Sequence, residues 1–198
     1  MRRRRLAALL VLPAIAVVGC GGGKDVVLEP APGTGWLPPL IEPLPLRLSY
    51  VFEPSVDQEV TFSAVSSGTL TTHLRLGPAT RAIFERTLPA LVESARAGPP
   101  RPGDNGSLTI ALLGVEVTKD AWSLRNYVVA WSVDYGITFV DPDGTDIGTW
   151  KISGATVYDG SEEALAQTLR GATAELVRSF AVQPAIVAWL TARREAMT

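Results

Sequence analysis

Among its 198 residues the chain has a single histidine, His73, and a single cysteine, Cys20. One imidazole is too few for a three-histidine zinc site, and a histidine-dependent triad would have to be built on His73. No Gly-x-Ser-x-Gly elbow and no Gly-x-x-x-x-Gly-Lys phosphate loop occurs, which removes the usual hydrolase and nucleotide signatures. Basic residues are also scarce. Of 18 Lys and Arg, four are Arg2 to Arg5; the other 14 face 20 acidic residues, a net charge of −6 beyond that cluster. A nucleic-acid partner, which demands clustered cations, is therefore not expected. The apolar run after the arginines, Leu6 to Val18, has 13 residues. As a helix it would rise about 20 Å, short of a hydrocarbon core of about 30 Å, and Pro13 interrupts it.

That run ends in Val17-Val18-Gly19-Cys20, followed by Gly21-Gly22-Gly23. A basic start, a short apolar stretch and a small residue before cysteine together resemble a bacterial lipoprotein signal peptide with its lipobox. The resemblance implies a signal peptide over residues 1–19, cleavage before Cys20, thioether lipidation and N-acylation by a palmitate-type chain. Gly21, rather than aspartate, implies sorting to the outer membrane, facing the periplasm. A domain of this size can bury a core without disulfides, so an oxidising envelope poses no difficulty.

Residues 20–45 read as a tether. Pro30, Pro32, Pro38, Pro39, Pro43 and Pro45 favour extended chain. Fully stretched, it would reach about 75 Å. Residues 46–198 read as one α/β domain. Leu46, Leu48, Tyr50 and Phe52 alternate with other residues as in a half-buried strand. Residues 59–65 and 69–76 are further strands. Gly77-Pro78 opens a helix whose apolar stripe runs from Ile83 to Ala95, with Pro89 expected to kink or split it. Residues 96–107 (RAGPPRPGDNGS) have the composition of a mobile loop. Residues 108–117, 126–140 and 145–158 are strands, the last two joined by the Asp141-Pro142-Asp143-Gly144 turn. A helix follows over residues 162–180 with Leu165, Leu169, Ala172, Leu176, Val177 and Phe180 as its stripe, and a short helix begins at Pro184.

The expected fold is α+β: a two-layer sandwich with a mostly antiparallel sheet and two main amphipathic helices on one face. The lipobox, the Leu76-Gly77-Pro78-Ala79 helix start, the long hairpin and the closing Ala/Leu-rich helix are similar to a broad group of small envelope lipoproteins. The group includes the plug of the lipopolysaccharide-export pore and auxiliary lipoproteins of envelope transporters. It implies assembly, docking or ligand handling, and carries no motif from which a functional residue transfers.

Candidate chemistry is sparse. His73 lies in a Thr-rich strand with no nucleophile or metal set nearby in sequence. Asp141, Asp143 and Asp146 lack EF-hand spacing and read as a turn. Glu162 and Glu163 suit a helix N-terminus. The aromatic face from Tyr127 to Phe139, with Trp150, reads as core, the alternative being a groove for an apolar ligand. Trp36 and Trp122 are the candidate partner contacts, since exposed tryptophans anchor interfaces. The reading is a membrane-anchored, non-enzymatic lipoprotein that docks onto an envelope assembly or transport complex, with no catalytic residue, metal or cofactor. A lipid- or small-apolar-ligand-binding lipoprotein is the alternative, and only a polar cluster around His73 would favour an enzyme.

Overall fold

The structure, a computed structural model, describes residues 24–27, 43–65, 69–119, 128–157 and 162–196. Its elements in chain order are β1 (Lys24–Val27), β2 (Leu44–Phe52), a 3-10 turn (Pro54–Asp57), β3 (Glu59–Val65), β4 (Thr69–Arg75), α1 (Gly77–Leu91), β5 (Val92–Ala97), β6 (Gly106–Lys119), β7 (Val128–Val140), β8 (Asp146–Val157), α2 (Glu162–Phe180) and α3 (Pro184–Ala196). They build two sheets. One has five strands in the order β5-β2-β6-β7-β8, the other three in the order β1-β4-β3.

The larger sheet is mixed, which corrects the expectation of a mostly antiparallel one. β2 runs parallel to both of its neighbours, β5 and β6, while β6-β7 and β7-β8 are antiparallel. The cause is β5. Val92 and Ala95 continue the helical spacing of Leu88 and Leu91, so the sequence reads as helix there. Yet α1 ends at Leu91, two residues past Pro89, and Val92 is fully extended (φ −135°, ψ 161°). Pro89 offers no N–H to the helix and crowds the preceding turn, so the helix does not run on. The chain instead adds a strand beside β2.

The connection from β5 to β6 crosses β2 in the eight residues 98–105, which the sequence marks as a mobile loop. Side chains organise it. The Asp104 carboxylate accepts from the Arg96 guanidinium (3.1 Å) and the Arg101 N–H (2.8 Å). Asn105 pairs with Arg47 through two bonds, Arg47 N–H to Asn105 Oδ1 (2.8 Å) and Asn105 N–H to the Arg47 carbonyl (2.6 Å). Arg193 of α3 donates to the Asn105 carbonyl (3.1 Å). Gly98 and Gly103 supply the positive φ angles, 112° and 94°, that the crossing requires.

One face of the five-stranded sheet carries the core. Leu46, Leu48 and Tyr50 of β2, Leu108 and Ile110 of β6, Trp131, Val133, Tyr135, Ile137 and Phe139 of β7, and Ile152 of β8 are all buried. α1, α2 and α3 supply Phe84, Leu88, Leu165, Leu169, Leu176, Phe180 and Ile186 to the same core. The two-layer expectation therefore holds for this sheet. Helix α2 sits exceptionally close to β8: a Cβ at Gly154 would lie 1.9 Å from the Thr168 carbonyl oxygen.

Candidate functional site

Three of the sequence-derived candidates, Cys20, Trp36 and Trp122, lie outside the described residues, as does Tyr127. Of Glu162 and Glu163 at the start of α2, Glu163 pairs with Arg170 (3.3 Å). Polar side chains gather in three further places, of which the first and third hold the sequence-derived candidates His73 and Asp141.

The first is the three-stranded sheet. Alternation along β3 and β4, with the antiparallel register Glu59↔Arg75 and Thr61↔His73, brings their side chains to one face. His73 Nδ1 lies 2.6 Å from Glu59 Oε1, and Thr61 Oγ1 is 3.4 Å from the same nitrogen. Arg75 Nε donates to Glu59 Oε2 (3.1 Å), and its Nη2 is 3.0 Å away. Hydrogen bonds from Arg75 and then His73 hold the Glu59 carboxyl below its ordinary pKa. One carboxylate thus serves both the imidazole and the guanidinium. A carboxylate so placed orients the imidazole, and among the described residues the hydroxyl against His73, that of Thr61, sits on the same nitrogen as Glu59. Among the described residues no nucleophile is placed across the ring from Glu59, and the arrangement is a cross-strand hydrogen-bond network around one carboxylate.

The second is the open face of the five-stranded sheet. Asp134 of β7 accepts from Lys151 Nζ (3.0 Å) and Ser153 Oγ (2.6 Å), both on β8. Burial pushes the Asp134 carboxyl up, but the Ser153 and Lys151 hydrogen bonds and the lysine charge outweigh it, and the net direction is downward. Ser153 N–H, on the free edge of β8, donates to the Glu175 carboxylate of α2 (2.7 Å). That contact occupies an edge donor that another strand could otherwise pair with.

The third is the β7–β8 turn. Asp141 Oδ1 accepts the N–H groups of Asp143 (2.9 Å) and Thr145 (3.0 Å), and Gly144 has φ 85°. Its carboxylate is spent on the turn's own backbone, as expected for an Asx-type turn. Among the described residues no group of three or more His, Cys, Asp or Glu is placed to hold a metal.

The aromatic face of β7 is core. Phe84 stacks edge-on against Tyr135 (5.3 Å between centroids), and Phe139 against Trp189 (5.0 Å) and Phe180 (6.2 Å). The buried Tyr135 hydroxyl pairs with Thr80 Oγ1 (2.7 Å), and burial drives its pKa upward. Helix side chains fill the face that a ligand groove would need. No pattern in the sequence singles out Leu113, which is 58% exposed. The register of β6 against β7 shifts between Leu112 and Gly114, and this bulge turns Leu113 out over Gly136.

No protein-family model matches the chain, and no curated protein matches it. Solved structures do. A Xanthomonas campestris protein of the DUF330 family aligns with a TM-score of 0.52 at 11% identity, over 87% of this chain and 99% of that one. The likeness is one of fold. A PelC dodecamer subunit from Paraburkholderia phytofirmans aligns at 0.37 and 11% identity, over 68% and 90% of the two chains. A minor lipoprotein from Acinetobacter baumannii aligns at 0.33 and 10%, over 69% and 92%. Both of these fall below the level at which a shared fold can be argued. Among the described residues, no helix is long and apolar enough to cross a membrane.

Proposed function

We propose that this chain is a non-enzymatic envelope lipoprotein, held at the outer membrane through lipidated Cys20, whose domain docks onto an envelope assembly or transport complex. The observation that carries the reading is the sequence around Cys20, a basic cluster, a 13-residue apolar run and a small residue before the only cysteine. The domain fits a docking role. Its one histidine is hydrogen-bonded to Glu59, and the carboxylates of Asp134 and Asp141 are engaged by a neighbouring lysine and by backbone N–H groups. One acyl chain holds a protein to a membrane only marginally, whereas two or three hold it stably. Cys20→Ser is therefore expected to leave the membrane fraction or to stall as an uncleaved precursor. Fractionation and processing like the parent's would sink the reading. In the same cells His73→Ala is expected to leave the gene's phenotype intact. Trp122→Ala, and after it Trp36→Ala, are expected to weaken co-purification with a partner by about 2 kcal/mol. A null His73→Ala beside two silent tryptophan variants would put an enzyme first.

A further inference from the structure

Lys24–Val27 falls inside the segment whose composition reads as a tether, yet it forms β1 and pairs with β4 in parallel, with Lys24↔Thr72, Asp25↔His73, Val26↔Leu74 and Val27↔Arg75. Only Gly21, Gly22 and Gly23 separate Cys20 from this strand. Four residue steps span at most about 14 Å. A chain anchored at Cys20 therefore cannot hold the three-stranded sheet farther than this from the lipid attachment point. The long proline-rich reach lies after β1, not before it.

The register also says which end of the sheet comes nearest. β1 and β4 are parallel, so the direction from Lys24 back to Cys20 is the direction from Thr72 back to Thr69. Those three residues carry the strand about 10 Å beyond the level of Lys24. β3 ends at the same level, because Val65 pairs with Thr69 and Ala64 with Leu70. With β1 along the membrane normal and the glycines fully stretched, the Val65/Thr69 level stands about 4 Å from the level of Cys20. The headgroup layer is thicker than that, about 5 to 7 Å on each side.

Charge along the sheet agrees with that orientation. From Val60 to Thr72 the sequence has no charged residue in 13 positions. The charges of this sheet, Lys24 and Asp25 on β1, Glu59 on β3, and His73 and Arg75 on β4, all lie at or beyond the level of Thr72. Desolvating a charge is costly, so the uncharged end is the one that can enter a lipid interface.

We propose that the paired ends of β3 and β4, Ser63–Val65 and Thr69–Thr71, are a membrane-seating surface that rests in the lipid headgroup layer beside the acylated Cys20. The proposal rests on the lipidation reading above. It makes the domain a body seated on the bilayer in one orientation.

The test uses the full lipidated protein in phosphatidylethanolamine/phosphatidylglycerol vesicles. With Cys20 acylated, a thiol introduced by Thr69→Cys or Val65→Cys is the only one free to take an environment-sensitive fluorophore. Brominated lipid is expected to lower the emission of both probes about two-fold, since interfacial residues lie within reach of acyl-chain quenchers. A probe at Thr149→Cys, on the far-edge strand β8, is expected to be unaffected. Inserting about twenty Gly/Ser residues between Gly23 and Lys24 should relax the quenching at Thr69 and Val65, because the tether then no longer confines the sheet. Two labelling sites guard against one variant misfolding. If Cys20 is acylated by mass and both probes quench no more than Thr149, the seating surface is wrong while the lipoprotein reading survives. If Cys20 carries no lipid, both fall together.

Discussion

The two sheets of this protein differ in how their described side chains are buried. The five-stranded sheet has one face sealed by three helices, with Val133, Ile137, Phe139 and Ile152 at 0% exposure. In the three-stranded sheet Leu74 reaches the shared core, while Glu59, His73 and Arg75 form a solvent-facing ion network with side chains 33 to 60% exposed. The contrast separates what holds the molecule together from what it can offer to a partner. Burial of apolar surface stabilises the first at about 25 cal/mol per Å². The second contributes little to stability, because exposed ion pairs are worth about 0 to 1 kcal/mol.

The sharpest way to break that contrast is to damage the large sheet's cover. Leu169 of α2 is 1% exposed, and an aspartate there would bury a charge with no partner. Leu169→Asp is expected to abolish cooperative thermal unfolding. Gln167→Asp, two positions back on an exposed part of the same helix, is expected to move stability by less than about 0.5 kcal/mol. Equal melts would mean that the buried stripe of α2 is misplaced. Arg170 is not a suitable control, although a helical wheel puts it outside the stripe: it is only 24% exposed and pairs with Glu163.

A smaller loss is expected from Gly154→Ala. The added methyl would meet the Thr168 carbonyl and the Ala172 nitrogen, 1.9 and 2.7 Å away, and these are backbone atoms that cannot swing aside. Lifting α2 off β8 should cost about 3 kcal/mol by chemical denaturation, at the upper end of overpacking effects. An unchanged midpoint would show that the helix seats more loosely than the close approach implies.

The smallest effects compare one carboxylate from each sheet. The Asp134 carboxyl is held below its ordinary value of 3.8. A lowered folded pKa adds stability above the unfolded value, and that stability is lost as pH falls through the folded one. Asp134→Asn is therefore expected to cost about 1 kcal/mol at pH 7, and the two proteins should converge in strongly acidic solution. Glu59 is shifted in the same direction but is exposed to water, and Glu59→Gln should leave the melting temperature at neutral pH unchanged. A larger effect of Glu59→Gln than of Asp134→Asn would reverse the ranking of the two sheets.

Much of this was legible beforehand. The limits of β3 and α2 agree with the sequence pattern residue for residue, and β7 buries the odd-numbered positions from Trp131 to Phe139 that its alternation picked out. The turn at Asp141 needed no tertiary information, because its carboxylate bonds its own neighbours. β5 was not legible, since VESARA carries a helical pattern and becomes a strand only beside β2. Nor was the ordering of residues 98–105, which depends on Arg47 and Arg193, 58 and 88 positions from Asn105. For the candidate site, the sequence singled out Cys20, Trp36, Trp122 and His73, but not the Glu59 that engages His73 from a neighbouring strand.

By itself the sequence determined the lipobox pattern, the alternation of the long strands, the two main helices and the buried stripe of α2. These are periodicities and local motifs, set by neighbours within a few residues. Tertiary structure alone decided that β2 would take parallel partners on both sides, that Asp25 would lie opposite His73, and that Lys24–Val27 would be strand. Strand pairing is a contact between distant segments. A four-residue segment such as KDVV carries no periodicity long enough to announce it, so its place is settled only by the edge of β4 that receives it.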